Sequence, residues 1–224
     1  MTLTARAWLS LVVLALVMAL LVFASAGTLR YWQAWLYLAV FFAAATFVTR
    51  DLMQRDPALL ERRMHGGPTA EKEPAQRIIM VFASLGFISL LVVPGLDRRF
   101  GWSSVPALVV AAGDVLTAVG FFLVSRVYRE NPFLFATIEV AKDQRVITTG
   151  PYAVVRHPMY AFSSAYLFGT PLALGSWWGL LGLALMLPFL VWRLLDEEDL
   201  LARRLPGYRE YQQRVRHRLV PGVW

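Results

Sequence analysis

The run Gly150-Pro151-Tyr152-Ala153-Val154-Val155-Arg156-His157-Pro158-Met159-Tyr160 sets a guanidinium, an imidazole and two phenols close together, and Glu197-Glu198 add adjacent carboxylates further along the chain. A guanidinium or imidazole can hold a carboxylate, while carboxylates accept from hydroxyl and ammonium groups. Taken singly, each part has an ordinary role. Arg and Tyr at the end of an apolar segment anchor it at an interface, and paired glutamates after a helix are usually solvated. Chemistry requires that the chain bring the two groups together.

Composition identifies the elements that must do so. The 224 residues are 58% hydrophobic and 17% charged, with no cysteine and a mean hydropathy of +0.53. A water-soluble domain carries about 25% charged residues, so this chain has more apolar surface than one aqueous core can hide. Structural disulfides, thiolate nucleophiles and Cys-ligated metals are excluded. A bilayer core of about 30 Å needs about 20 apolar residues in a helix. The expected architecture is all-α and polytopic, with six transmembrane helices in three hairpins: Trp8 to Ala26 with Tyr31 to Val48, Ile78 to Leu96 with Val105 to Ser125, and Met159 to Leu174 with Trp177 to Leu195. Pro171 and Pro188 are expected to kink the last two. Ala24, Ser25 and Ala26 resemble a cleavage site, but the preceding apolar run is long for a signal core and another span follows directly. It therefore reads as the first span.

The charge pattern orients this array. With the N-terminus cytoplasmic, all of the 22 Lys and Arg residues except Arg30, Arg98 and Arg99 fall on the inner side, Lys72 and the arginine-rich tail among them. That is the positive-inside bias of an inner-membrane protein with both termini cytoplasmic. The formal charge of +7 is thereby assigned to loops and anionic lipid, not to nucleic acid.

Two regions follow: a four-helix scaffold over 1–126 with a cytoplasmic loop at 49–77, and a functional region over 127–224 ending in the last hairpin and basic tail. Within the loop, Asp51 to Met64 is expected to form a surface helix with Asp56 as N-cap, Pro57 at its first position, and Leu59, Leu60 and Met64 facing lipid. Short extended pieces are expected at Thr137 to Val140 and Arg145 to Thr148. Met159 to Leu174 climbs roughly 24 Å and Trp177 to Asp196 descends roughly 30 Å, which returns Glu197 and Glu198 to the level of Arg156 and His157. One membrane face then holds a polar cluster beside a route for a lipophilic substrate.

The R-H-P-x-Y element, the apolar hairpin and the E-E pair resemble the membrane methyltransferases typified by isoprenylcysteine carboxyl methyltransferase and phosphatidylethanolamine N-methyltransferase. The tail from Leu205 to Pro221 is similar to that family's closing segment, and the likeness spans Asn131 to Trp224. The resemblance implies S-adenosylmethionine as cofactor, bound through Gly150, Pro151, Tyr152, His157, Pro158, Tyr160, Glu197 and Glu198. It also implies a lipophilic or lipidated acceptor.

The residue types suit that cofactor, whose hydroxyls and ammonium need acceptors, whose carboxylate needs a donor, and whose base needs an apolar or aromatic slot. Glu197 or Glu198, Arg156 or His157, and Tyr152 or Tyr160 supply these. No G-x-G-x-x-G follows a strand, so a soluble dinucleotide-type fold is not indicated. A carboxylate acceptor is already ionised at neutral pH, whereas a phospholipid amine must first lose a proton. Arg193, at the inner end of the sixth span, is the cation placed to hold such a carboxylate, with Arg156 as its catalytic companion. The weight falls on an isoprenylcysteine-type carboxylate or related lipophile. A phospholipid amine methyltransferase, a nicotinamide-dependent membrane reductase, and a transporter or assembly factor are the alternatives. Asp114, midway along the fourth span, either lines a cavity or is a protonated or Thr117-bonded helix contact. His65 and His217 lack ligand spacing, and no metal is expected.

Overall fold

The computed structural model describes residues 1–71 and 73–224; Lys72, one of the inner-side charges, lies outside the described residues. The chain forms α1 (Leu3–Ala26), α2 (Trp32–Arg55), α3 (Pro57–Met64), α4 (Pro74–Phe100) and α5 (Ala107–Glu130). A 3-10 turn (Gly150–Ala153) then leads to α6 (Pro158–Ala173), α7 (Gly179–Arg204) and α8 (Tyr208–Arg214). The fold is all-helical among the described residues.

Five of these helices, α1, α2, α4, α5 and α7, are long and apolar enough to cross a membrane. The fifth expected span corresponds to α6, which has 16 residues and covers about 24 Å, short of a bilayer core of about 30 Å. Pro158 starts it and Leu174 with left-handed Gly175 ends it, so its length is set by the same residues that make the hairpin turn. Pro171 and Pro188 lie inside α6 and α7, and Pro94 inside α4.

α5 packs most closely on α6, while α7 lies on α4 and α4 on α1. Close approach of α5 and α6 requires small residues: a Cβ on Gly113 would stand 2.3 Å from the Ala173 nitrogen, and one on Gly120 2.8 Å from the Tyr166 nitrogen. Small residues at such interfaces replace the hydrophobic drive that lipid removes. The outer faces remain apolar, with Leu9, Val12, Leu16 and Leu20 of α1 exposed. At the end opposite the Arg156 cluster, buried Asp97 accepts from the Ser103 amide and from the Ser103 and Ser176 hydroxyls, tying α4 to the α6–α7 turn.

The inner connector differs from its expected form. α2 runs on to Arg55 and the helix breaks at Asp56, whose carboxylate accepts from the Leu59 amide at 2.8 Å and caps the separate α3. Leu59 and Leu60 do not face lipid. They are buried against Ala7, Val48 and Leu52, with Met64 packed beside them, because α3 folds back under α1 and α2 and is held there by Arg6 and Glu61, 2.7 Å apart. The 137–140 and 145–148 segments form no strand. They run irregularly, pinned by side-chain bonds such as Glu71 accepting from the Ile138 amide at 3.3 Å.

Candidate active site

The α6–α7 hairpin brings the two sequence clusters into contact. Arg156 Nε donates to Glu198 Oε1 at 2.6 Å, and His157 Nε2 lies 3.2 Å from the same oxygen, at ion-pair distance but without the alignment of a hydrogen bond. The second carboxylate oxygen accepts from Arg218 Nε at 2.8 Å. Buried ions require such pairing, and Arg156 and Glu198 are only 5% and 6% exposed.

The same residues fasten the tail. The Arg156 and His157 amides donate to the His217 and Arg218 carbonyls at 2.9 and 3.0 Å. Arg156 Nη1 donates to the Val215 and Arg216 carbonyls, both at 2.8 Å. Glu198 is thus enclosed by Arg156, His157 and Arg218. Adjacent helical residues point about 100° apart, and Glu197 accordingly faces elsewhere: its Oε2 accepts from the Tyr160 hydroxyl at 2.7 Å, and it lines the main cavity.

That cavity encloses about 430 Å³, within the range of small-molecule sites. Tyr152, Arg156, His157, Tyr160 and Glu197 line its polar part, while Val48, Met80, Ala83, Phe121, Leu167 and Leu190 line an apolar part reaching between the helices. Glu198, Gly150, Pro151 and Pro158 are not on its wall. Gly150 has φ +56, and a Cβ there would stand 2.9 Å from the Glu130 carboxylate. Pro151 sits at the start of the 3-10 turn and Pro158 at the first position of α6, so these three shape the backbone that presents Tyr152, His157 and Tyr160.

Tyr152 is fixed at both ends: Asn131 Nδ2 donates to its hydroxyl at 2.9 Å, and its carbonyl accepts from the Tyr211 hydroxyl at 2.7 Å. Burial, opposed by the bond from Asn131, raises the Tyr152 pKa. Burial also pushes Tyr211 up to about 12, with Arg156 acting downward and Glu198 upward. These phenols remain neutral donors at physiological pH.

Arg193 lines the cavity in a socket absent from the sequence reading. Its Nη1 donates to Gln76 Oε1 at 2.8 Å, and its Nη2 donates to the Ala136 carbonyl at 2.9 Å and lies 2.8 Å from Glu71 Oε1. Glu71 and Gln76 are buried. Their only sequence signal is position, as polar residues flanking the start of an apolar helix. Arg218 and Tyr211 carry no sequence signal beyond their place in the tail pattern. Asp114 lines neither of the two best-formed cavities. It does not bond to Thr117, whose hydroxyl donates to the Gly113 carbonyl at 2.9 Å, and its carboxylate has no hydrogen-bond partner in the protein. His65 Nδ1 contacts the Glu61 carbonyl oxygen and His217 the Gly222 amide. Among the described residues no group of three or more His, Asp or Glu is placed to hold a metal.

An apolar cavity between membrane-length helices opens onto a buried cluster of charges and phenols, an arrangement with room for an apolar group beside a polar one. Residues 108–206, which contain α6, α7 and nearly all of α5, match the family model for phospholipid methyltransferase. No curated protein matches the chain.

Proposed function

We propose that this protein transfers a methyl group from S-adenosylmethionine to a lipophilic acceptor, an isoprenylcysteine-type carboxylate or related small lipophile, at the cytoplasmic face of the bacterial inner membrane. The observation that carries this reading is the continuity of the cavity from its Tyr152, His157, Tyr160 and Glu197 part to its Phe121, Leu167 and Leu190 part. One end offers acceptors and donors for a zwitterionic, hydroxyl-bearing cofactor, and the other offers an apolar wall for a chain. The cofactor fits the residues present, because the wall holds a carboxylate, an imidazole and phenols, one of which, Tyr208, has a buried hydroxyl without a hydrogen-bond partner in the protein.

Glu197, braced by Tyr160, is the carboxylate assigned to the cofactor. Glu198 and Arg156 hold the wall behind it, and Gly150, Pro151 and Pro158 set the backbone path. Arg193 is the cation assigned to the acceptor's reacting end, oriented by Glu71, Gln76 and the Ala136 carbonyl. When bound, the cofactor supplies a sulfonium methyl for in-line displacement, a reaction that removes charge. The protein's part is therefore to orient both partners and exclude water, for which good positioning supplies about 7–11 kcal/mol. The basic tail and loops, by the positive-inside rule, support termini in the cytoplasm.

A phospholipid amine is the second reading, favoured by the description of the matched family and by Glu197 on the wall as a proton acceptor. Purified protein titrated with S-adenosylhomocysteine should gain thermal stability, about 2.7 kcal/mol at a hundredfold excess over Kd. Labelled methyl groups should then enter a farnesylated cysteine carboxylate in preference to phosphatidylethanolamine. Stabilisation by reduced nicotinamide cofactor alone overturns the methyltransferase reading in favour of a reductase. Stabilisation by neither favours a transporter or assembly factor.

A further inference from the structure

The tail contributes to the cavity wall one residue whose polar group the protein does not itself use. Tyr208, at the start of α8, is 4% exposed and lines the cavity, and its buried hydroxyl has no hydrogen-bond partner in the protein. Its neighbours are different: the Tyr211 hydroxyl donates to the Tyr152 carbonyl, and the Tyr152 hydroxyl accepts from Asn131. Of the three phenols at this end, Tyr208 is the one left unbonded.

An unpaired buried hydroxyl costs free energy in the ligand-free protein, a cost removed when a ligand supplies the partner. Tyr208 packs with Leu205, Tyr211, Val146 and Leu201, and its ring centroid lies 5.7 Å from that of Tyr211. This surface is aromatic and apolar. It suits a flat, uncharged heterocycle with a polar edge and its attached sugar. Burial raises the Tyr208 pKa, with Glu198 and Glu197 acting in the same direction, so the hydroxyl is present as a donor.

We infer that Tyr208 is a cofactor-binding residue whose hydroxyl bonds the adenosine half of the bound methyl donor, so that the tail both closes the cavity and reads its contents. This rests on the methyltransferase reading above.

The test compares wild-type, Tyr208→Phe and Tyr211→Phe full-length protein in detergent, by calorimetric titration with S-adenosylhomocysteine and with 5′-methylthioadenosine, which keeps the adenosine but lacks the amino acid. Tyr208→Phe should weaken both ligands by the same factor, about tenfold for one hydrogen bond to a buried group, without lowering the melting midpoint of the ligand-free protein. Tyr211→Phe should lower that midpoint, since it removes a bond within the protein. Unchanged affinities in Tyr208→Phe overturn the inference while leaving the methyltransferase reading intact. A lowered ligand-free midpoint in Tyr208→Phe matching that of Tyr211→Phe does the same. Weakening of S-adenosylhomocysteine alone, or wild-type protein that binds it but not methylthioadenosine, overturns the adenosine assignment. Wild-type protein that binds neither compound overturns both the function and the inference.

Discussion

Arg156 Nε and Glu198 Oε1 are 2.6 Å apart in a site where both side chains are almost wholly buried, joining the start of α6 to the end of α7. Arg156 also takes two tail carbonyls and Glu198 a tail arginine, so the pair is the clasp of the C-terminal region. Glu198→Ala leaves Arg156 buried without its carboxylate, a change that costs about 3–5 kcal/mol. We expect a lowered melting midpoint and early proteolytic cleavage beyond Arg204. A tail that stays protease-resistant would show that the clasp is not what holds it.

Glu197→Gln tests the division between the two acids. Glu197 bonds Tyr160 at 2.7 Å on the cavity wall, and glutamine keeps the size and an acceptor oxygen. Ligand-free stability should change by less than about 1 kcal/mol, while S-adenosylhomocysteine affinity falls about tenfold or more because a charged acceptor has been lost. Equal effects on stability from the Glu197 and Glu198 substitutions would contradict the assignment of separate roles.

Gly113→Ala places a methyl 2.3 Å from the Ala173 backbone nitrogen. Backbone cannot yield as a flexible side chain does, so α6 must shift. Overpacking of this kind costs about 1–3 kcal/mol. The expected result is reduced stability together with reduced cofactor affinity, because Tyr160 moves with α6. Thermal melting and ligand titration of the variant measure both.

Asp114→Leu should stabilise. Its carboxylate is buried in a membrane-length helix without a hydrogen-bond partner, and a mid-span acid carries an insertion cost of about 2.5–3.5 kcal/mol. A rise in the melting midpoint with unchanged S-adenosylhomocysteine affinity is expected. Loss of affinity would give Asp114 a role in the cavity that its position does not indicate.

Tyr211 predicts an alkaline limit. Its pKa is raised from 10.0 to about 12 by burial, so the folded protein binds its proton more tightly than the unfolded chain does. The associated stability is complete below pH 10 and is lost as pH rises through about 12. Melting midpoints measured from pH 9 to pH 12 should fall in wild type and fall less in Tyr211→Phe.

The sequence by itself determined the apolar helices and the polar cluster, because crossing lipid demands long unbroken hydrophobic runs and because a hairpin of known rise must return Glu197 and Glu198 to the level of Arg156 and His157. It also carried the Asp56 cap, a local interaction between neighbouring residues. Tertiary structure alone decided the rest. Leu59 and Leu60 read as lipid-facing because amphipathicity does not distinguish lipid from the underside of α1 and α2. The Arg193 socket of Glu71, Gln76 and Ala136 joins residues distant in sequence, through contacts with no periodic signature. Which acid faces the cavity depends on the rotation of α7 about its axis, and packing against α4 and α6 fixes that rotation. The unpaired Tyr208 hydroxyl is likewise visible only once every neighbouring donor and acceptor has been given its partner.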